Sequence, residues 1–418
     1  MARERKGGCG MRAETHADVV IVGCGIAGLY TALHLPKTCQ ILLISKGRFD
    51  ECDSMLAEQG LSVLPGPRGY DAFYGDTLRA GRNQNLPERV DDVIHNSPAV
   101  LRYLRKIGVG FTPDDLGNIG YRQGPGHTKP RLVYKDDCTG KAITTALFAL
   151  AKKSYNITLL ENTTVTDLET RSHRCVGVIM RPAGGRAEMG RARYTVLATG
   201  GIGGLYTHSS NFRCLTGDGI ALARRYGIAM EHLDDICINP TALYTGKPGR
   251  SYMIPAAARE QGAVLLSAAG SRFVDEKLPD EVVANAVRNQ LLLEDSRSVR
   301  LSFASIPTEQ ILREFKAVHE HCLAEGYDIT KEPVPVVPAE DYMAGGIKVN
   351  QRGATSMPNL YAVGETSYTG AHGRAPLIGN SMMEAMVFAA HVARDIERLE
   401  NDREKNSNDF LRYTSLRI

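Results

Sequence analysis

The sequence has no tryptophan, and only 6% of its 418 residues are aromatic. It also lacks an excess of either charge, because 50 lysines and arginines face 47 aspartates and glutamates and leave a formal net charge of +3. A chain that binds nucleic acid usually carries a basic stripe with interleaved aromatic residues. The composition therefore argues against a nucleic-acid partner and indicates a small-molecule substrate.

Its nine cysteines are scattered, with no CxxC pair and no spacing typical of metal ligands. Such a set is typical of reduced thiols, so we expect a cytoplasmic protein without a metal or an iron–sulfur cluster. The longest apolar run, residues 19–35, holds three glycines and is shorter than the roughly 20 residues of a membrane-spanning helix. We interpret it as a buried strand, a tight turn and a helix, and expect no membrane span.

The turn after this strand carries the motif Gly23-x-Gly25-x-x-Gly28. Glycines at this spacing allow a pyrophosphate to approach backbone N–H groups at a helix N-terminus. The motif predicts a dinucleotide-binding βαβ unit whose second strand is "QILLI". An acidic residue that binds the adenosine ribose usually ends this second strand. Here the strand is followed by Ser45-Lys46, so we expect a different partner for the ribose.

Two later segments have the pattern of buried strands that end in glycine turns. They are "VLATGG", residues 196–201, and "NLYAVGE", which ends in Glu365. A carboxylate at this strand end can accept hydrogen bonds from a polyol such as the ribityl chain of FAD. Short alternating segments between the glycine motif and "VLATGG" predict a small β-meander. This order of motifs indicates a flavoprotein that binds FAD.

The pattern changes after about residue 232, where two helical segments and a proline-rich connector, "KEPVPVVPAEDY", indicate a second domain. The predicted fold class is α/β, a doubly wound, Rossmann-like FAD-binding domain with an inserted α+β capping domain. A charged helix is predicted around residues 384–404. The predicted division is a flexible tail at 1–16, a discontinuous FAD-binding domain at 17–232 and 343–400, a capping and substrate domain at 233–342, and a polar C-terminal tail at 401–418.

The chain resembles the L-aspartate oxidases, a group within the fumarate reductase/succinate dehydrogenase flavoprotein family. The resemblance covers about residues 17–400 and rests on "VVIVGCGIAGL", "VLATGGIGGLY", "LTGDGIALA", "NPTALY", "VPAEDYMAGGIKV", "NLYAVGETSYTGAHG" and "NSMMEA". It implies an FAD-dependent oxidoreductase that converts L-aspartate to iminoaspartate for NAD biosynthesis. The implied mechanism is hydride transfer to flavin N5, with reoxidation by oxygen or fumarate.

The resemblance also implies which residues bind FAD. Those expected at the pyrophosphate are Gly23, Cys24, Gly25, Ile26, Ala27 and Gly28. Those expected near the adenosine are Ser45, Lys46 and Val165. The remaining expected contacts, most of them to the flavin ring, are Ser54, Gly60, Ala198, Thr199, Gly200, Asp218, Glu365, Asn380, Ser381 and Met382. Members with covalent FAD carry a histidine where this chain has Asp53, so we expect the FAD to be non-covalent.

The substrate site departs from the family pattern. In "HGRAPLIGNS" the family's substrate-clamping arginine corresponds to Pro376, and Arg374 lies two residues earlier. Another family arginine corresponds to Asp280, and two family histidines correspond to Asn239 and Asp341. Fixed cations, ideally bidentate arginines, are what holds a dicarboxylate, so we expect poor turnover of aspartate. The catalytic candidates that remain are Arg259, His372 and Arg374.

Three functions stay open at this point. The chain is an L-aspartate oxidase, an oxidoreductase of the same architecture with a less anionic or cationic substrate, or a non-catalytic FAD-binding paralogue. A structural role for His372 is as compatible with the sequence as a catalytic one. The electron acceptor and the oligomeric state are not determined by the sequence.

Overall fold

The computed structural model describes residues 13–415, with side chains described to residue 405. The strands in this range are β1 (Glu14–His16), β2 (Val19–Val22), β3 (Ile41–Ile44), β4 (Leu61–Ser62), β5 (Tyr121–Arg122), β6 (Leu132–Val133), β7 (Ile157–Leu160), β8 (Thr163–Arg171), β9 (Arg174–Pro182), β10 (Glu188–Arg191), β11 (Tyr194–Leu197), β12 (Met230–Glu231), β13 (Ile236–Leu243), β14 (Val264–Leu266), β15 (Val299–Ser302), β16 (Val334–Met343), β17 (Gly346–Lys348), β18 (Leu360–Ala362) and β19 (Ser367–Tyr368).

The helices in the same range are α1 (Ile26–His34), α2 (Tyr70–Ala80), α3 (Pro87–Lys106), α4 (Thr139–Lys153), α5 (Asp218–Arg225), α6 (Ala256–Glu260), α7 (Asp280–Leu293), α8 (Thr308–Glu314), α9 (Lys316–Ala324) and α10 (Asn380–Ser415). Short 3-10 turns lie at Asp53–Leu56, Pro67–Gly69, Gly203–Leu205 and Gly364–Thr366. None of these helices is long and apolar enough to cross a membrane.

A parallel five-stranded sheet, in the order β18-β11-β2-β3-β7, forms the centre of the first domain. Every residue of β2, β3, β11 and β18 is buried, as expected for strands covered on both faces. On one face, Val19 and Ile21 pack with α1, α3, α4 and α10. On the other face, Val20 and Val22 pack with residues of β8 and β9. The strand order reverses at β2, which places the glycine turn at a topological switch point.

The predicted meander forms a separate four-stranded sheet in the order β1-β10-β9-β8. Its edge strand β1 pairs in parallel with β10, so Glu14 lies opposite Met189 and His16 opposite Arg191. The prediction of a flexible tail at 1–16 is therefore wrong for residues 14–16. The three residues lack apolar periodicity, and only the pairing with β10 makes them a strand. Residues 1–12 of that predicted tail lie outside the described residues.

A second core lies in the middle of the chain and contains only residues between Leu243 and Val336. It packs helices against an antiparallel sheet in the order β13-β16-β15-β14. This core falls within the segment 233–342 that the sequence analysis assigns to the cap.

The proline-rich segment predicted as a connector is instead β16, which pairs with strands on both sides. A proline lacks only the N–H donor, and the Pro335 carbonyl still accepts a 2.9 Å hydrogen bond from Tyr244 N–H. The pairing with β13 is irregular between Asn239 and Ala242, opposite Pro338. This bulge accommodates the missing donor.

The last helix is longer than predicted. Helix α10 runs from Asn380 to Ser415, so the predicted polar tail at 401–418 is helical up to residue 415. Residues 416–418 lie outside the described residues. Residues 401–415 contain no glycine or proline that would stop a helix. The helix therefore continues past the boundary that their polar composition predicted.

Candidate active site

The glycine turn closes tightly against the neighbouring strand. Gly23 has φ +116°, and a Cβ there would lie 1.9 Å from the carbonyl oxygen of Ala198. A Cβ on Gly28 would lie 2.0 Å from the Gly23 carbonyl oxygen. Helix α1 begins after Gly25 without a side-chain cap of its own, and its Ile26 N–H donates to Ser54 Oγ at 3.0 Å. Its N-terminal N–H groups therefore lie at the switch point, where a pyrophosphate would bind.

Ser45 and Lys46, predicted to contact the adenosine, lie at the end of β3, and Val165 lies within β8. Ser45 and Val165 are buried, and Lys46 Nζ lies 2.9 Å from Asp218 Oδ2. Lys46 also donates to Thr216 Oγ1 at 2.6 Å. The structure thus joins Lys46 and Asp218, which were predicted to contact different parts of FAD. Both side chains are about one-third exposed, so each is accessible to a ligand.

Glu365 lies in the 3-10 turn that follows β18. Its Oε1 accepts a 2.9 Å hydrogen bond from Met343 N–H, and a Cβ on Gly201 would lie 2.3 Å from that oxygen. Burial raises the pKa of Glu365 well above its usual value, and the negative charge of Asp53 raises it further. A carboxyl group that can both accept and donate hydrogen bonds suits the hydroxyl groups of a ribityl chain.

The residues predicted around the flavin ring come from separate parts of the chain. Asn380 opens α10, and its amide donates to Thr77 Oγ1 at 3.1 Å. Ser381 and Met382 follow in the first turn of α10. Asp53, at the position of the linking histidine, accepts a hydrogen bond from a backbone N–H at 2.9 Å.

Arg259 is not free to bind a substrate carboxylate. Its side chain is 2% exposed, and its guanidinium forms an ion pair with Asp280. It also donates to the carbonyl oxygen of Glu276 at 3.0 Å. Asp280, which stands at the position of a family arginine, therefore neutralises Arg259.

Arg374 is also paired. Its Nη2 lies 2.9 Å from Asp235 Oδ1, and the second oxygen of Asp235 contacts His232 Nδ1 at 3.0 Å. The loop that carries Arg374 is anchored through Gly373, which has φ +55° and packs on the Gly81 carbonyl. The side chain is 40% exposed, so this arginine is held less firmly than Arg259.

His372 is buried beside carboxyl and phenol groups. Its Nε2 lies 3.9 Å from Glu384 Oε2, and its ring meets the Tyr342 ring edge-on at 6.0 Å. Neither ring nitrogen has a hydrogen-bond partner. Burial lowers the pKa of His372 to about 4, so the ring is neutral at pH 7.

Several functional candidates escaped the sequence analysis. Glu340 directly precedes the predicted Asp341, and burial raises its pKa to about 7. Glu384 lies four residues after Asn380 on α10, which the helical period could have revealed, and burial raises its pKa to about 7. Arg250 lies in an exposed cap loop and lowers the pKa of Asp53 by its charge, a proximity without a sequence signal.

Comparison with known proteins identifies the family of this chain. The sequence matches the FAD binding domain family over residues 18–382. It is 38% identical to L-aspartate oxidase of Clostridium perfringens over 381 residues, which cover 91% of this chain and 86% of the relative. The chain belongs to the L-aspartate oxidase family. It is also 36% identical to the Pseudomonas aeruginosa L-aspartate oxidase over 401 residues, covering 91% of this chain and 74% of the relative.

Solved structures show the same fold. Mycobacterium smegmatis Sdh1 in complex with UQ1 superposes with a TM-score of 0.83 at 28% identity, covering 92% of this chain and 69% of that one. Escherichia coli quinol fumarate reductase gives 0.82 at 25% identity, with 92% and 70% covered. This L-aspartate oxidase family member is therefore an FAD-dependent oxidoreductase of the fumarate reductase/succinate dehydrogenase flavoprotein fold.

FAD is the cofactor of this oxidoreductase. Two features of the structure fit this cofactor. One is the Gly23–Gly28 turn at the N-terminus of α1, and the other is the Glu365 carboxyl beside Gly201. The individual FAD contacts predicted from the sequence remain predictions.

Proposed function

We propose that this chain oxidises a small molecule held between the FAD-binding domain and the cap, and that L-aspartate is a poor substrate. The L-aspartate oxidase reaction, with its role in NAD biosynthesis, needs a substrate whose two carboxylates are held by fixed cations. The observation that supports the proposal is the pairing of both candidate arginines, Arg259 with Asp280 and Arg374 with Asp235.

The protein's own residues have distinct proposed roles. The Gly23–Gly28 turn and Glu365 hold FAD, which supplies a two-electron acceptor when bound. His372 is neutral at pH 7, so one ring nitrogen can accept a hydrogen bond from the substrate. Burial of His372 excludes water from its ring nitrogens. No free arginine is proposed to orient a carboxylate there.

The test is anaerobic mixing of the purified yellow protein with candidate substrates, followed through loss of the flavin absorbance. We expect slow and incomplete bleaching with L-aspartate, because loss of a substrate clamp costs orders of magnitude in rate. We expect faster bleaching with some less anionic compound. Rapid bleaching by L-aspartate that persists in the double variant Arg259→Ala/Arg374→Ala would refute the proposal.

One observation favours a second function, which is L-aspartate oxidation itself. Arg374 is 40% exposed, and its partner Asp235 lies on a loop, so a substrate carboxylate could replace that partner. In that case the variant Arg374→Ala would abolish L-aspartate oxidation, whereas in the main proposal it changes little.

A further inference from the structure

Carboxyl groups from both domains meet at one cleft. Three of them accept hydrogen bonds from the segment 209–212. The Ser209 hydroxyl donates to Glu340 at 2.7 Å, and the Ser210 hydroxyl donates to Asp341 at 2.9 Å. The backbone N–H of residue 212 donates to Asp53 at 2.9 Å. Four consecutive residues span at most about 14 Å, so these three carboxyls share one region. The side chain of Asp341 is exposed.

Two further carboxyl groups adjoin the same cleft. Glu365 accepts a hydrogen bond from the N–H of Met343, two residues after Asp341. Glu384 approaches the His372 ring at 3.9 Å, and that ring touches the ring of Tyr342. Five carboxyl groups from four elements therefore lie in one region of the structure.

The nearby cations do not balance these groups. Arg259 is paired with Asp280, and Arg374 is paired with Asp235. Arg250 is exposed on its loop and lowers the pKa values of Asp53 and Glu58 by its charge, but has no ion pair in the described residues. Arg250 therefore acts by its charge on only one of the five carboxyl groups, Asp53.

Independent features show that the cleft is built to receive a ligand. His372 is 6% exposed, and both of its ring nitrogens lack a partner. A metal ion does not fit here, since the described residues include no group of three His, Cys, Asp or Glu that could hold one. An organic ligand with a hydrogen-bond donor would satisfy the acceptor nitrogen of the neutral His372 ring.

We propose that the cleft binds an organic cation, a protonated amine without a pair of carboxylates, as the substrate class of this oxidoreductase. The proposal rests on the proposed function and deepens it. The ammonium group lies near Asp341 and Glu384 and donates to the acceptor nitrogen of His372. A dicarboxylate is excluded from the same space by charge repulsion.

Proton linkage distinguishes a cation from other ligands. Burial raises the pKa values of Asp53, Glu340 and Glu384 to about 7, and raises those of Asp341 and Glu365. The other titratable groups at the cleft stay neutral at pH 7. Burial raises the pKa of the Cys237 thiol to about 12 and also raises the pKa of the Tyr342 phenol. Burial lowers the pKa of His372 to about 4.

A bound cation favours ionised carboxylates and therefore releases protons. Its affinity must rise as the pH increases through 7. A bound anion shows the opposite dependence, and a neutral ligand shows little.

The experiment compares three probes of equal length, n-butylammonium, n-butanol and butyrate, on the FAD-loaded protein by isothermal titration calorimetry. We expect n-butylammonium to bind about tenfold more tightly than n-butanol, and butyrate to bind more weakly than either. The affinity for n-butylammonium should increase from pH 6 to pH 8. Titrations in two buffers with different ionisation enthalpies should show proton release.

Matched variants locate the effect. Asp341→Asn and, independently, Glu384→Gln should remove most of the preference for n-butylammonium over n-butanol. Asp115→Asn, which removes an exposed carboxylate that is not among the five, should leave it unchanged. Equal binding of n-butylammonium and n-butanol would overturn the proposal, as would tighter binding of butyrate or a preference that survives in both cleft variants. Tight amine binding without flavin bleaching by any amine would instead refute the proposed function and leave the binding site intact.

Discussion

The ion pair between Arg259 and Asp280 allows a direct test of why Arg259 is not available to a substrate carboxylate. The variant Asp280→Asn keeps the shape of the side chain and removes its charge. The guanidinium of Arg259, which is 2% exposed, then keeps only the Glu276 carbonyl as a hydrogen-bond acceptor, at 3.0 Å. Its buried Nε has no partner. The buried cation then lacks its counter-charge.

The size of the effect follows from burial. Removing one partner of a fully buried ion pair costs about 3–5 kcal/mol. Asp280 itself is 48% exposed, so water already screens part of the pair, and we expect a loss of about 2 kcal/mol. Because Asp280 lies in the first turn of α7, loss of its interaction with the helix dipole contributes about 0.5 kcal/mol of this.

The neighbouring variant Glu281→Gln is the control. It removes an acid from the same helix turn, but its partner Arg82 is 46% exposed and Glu281 is 58% exposed. We expect a loss below about 1 kcal/mol in this variant. Chemical denaturation of both FAD-loaded variants measures the difference. Succinate should stabilise the Asp280→Asn variant more than the wild type, since the freed arginine can bind a carboxylate. Equal stabilities of the two variants, with no added effect of succinate, would show that Arg259 is not held by Asp280.

Three further outcomes are expected. Gly23→Ala should abolish FAD retention on purification, because its Cβ would lie 1.9 Å from a backbone oxygen; a yellow variant protein would contradict this. Glu365→Ala should weaken FAD binding more than any single change in the cap, as measured by flavin fluorescence on dilution. Acid precipitation of the wild type should release all of the colour, since Asp53 cannot form the covalent link, and colour in the pellet would show the opposite.

Much of the fold follows from local sequence patterns. The buried strands β2 and β3 are continuous apolar runs, and the glycine turn between β2 and α1 has a fixed spacing, so both are visible without tertiary information. β16 was missed because its prolines are typical of connectors. The bulge in its pairing with β13 allows a strand whose prolines lack the N–H donor. β1 was missed because its partner β10 lies far away in the sequence.

The site was predictable to a different extent. Losses of charge, such as Pro376 and Asp280 at family arginine positions, are readable directly from the sequence. The partners of the remaining arginines are not, because the distance from Arg374 to Asp235 depends on how two distant segments pack. The acidity of the cleft has the same origin, since Asp53 and Glu384 lie more than three hundred residues apart.

The most direct measurement of the central claim is a titration of the FAD-loaded wild-type protein with succinate, followed through the flavin spectrum. Both arginines are paired with carboxylates, so we expect no binding tighter than about 1 mM, and affinity that falls as the pH rises. Binding in the range of about 1 μM that is lost in Arg259→Ala or Arg374→Ala would show that these arginines form a working carboxylate clamp, and would contradict the account.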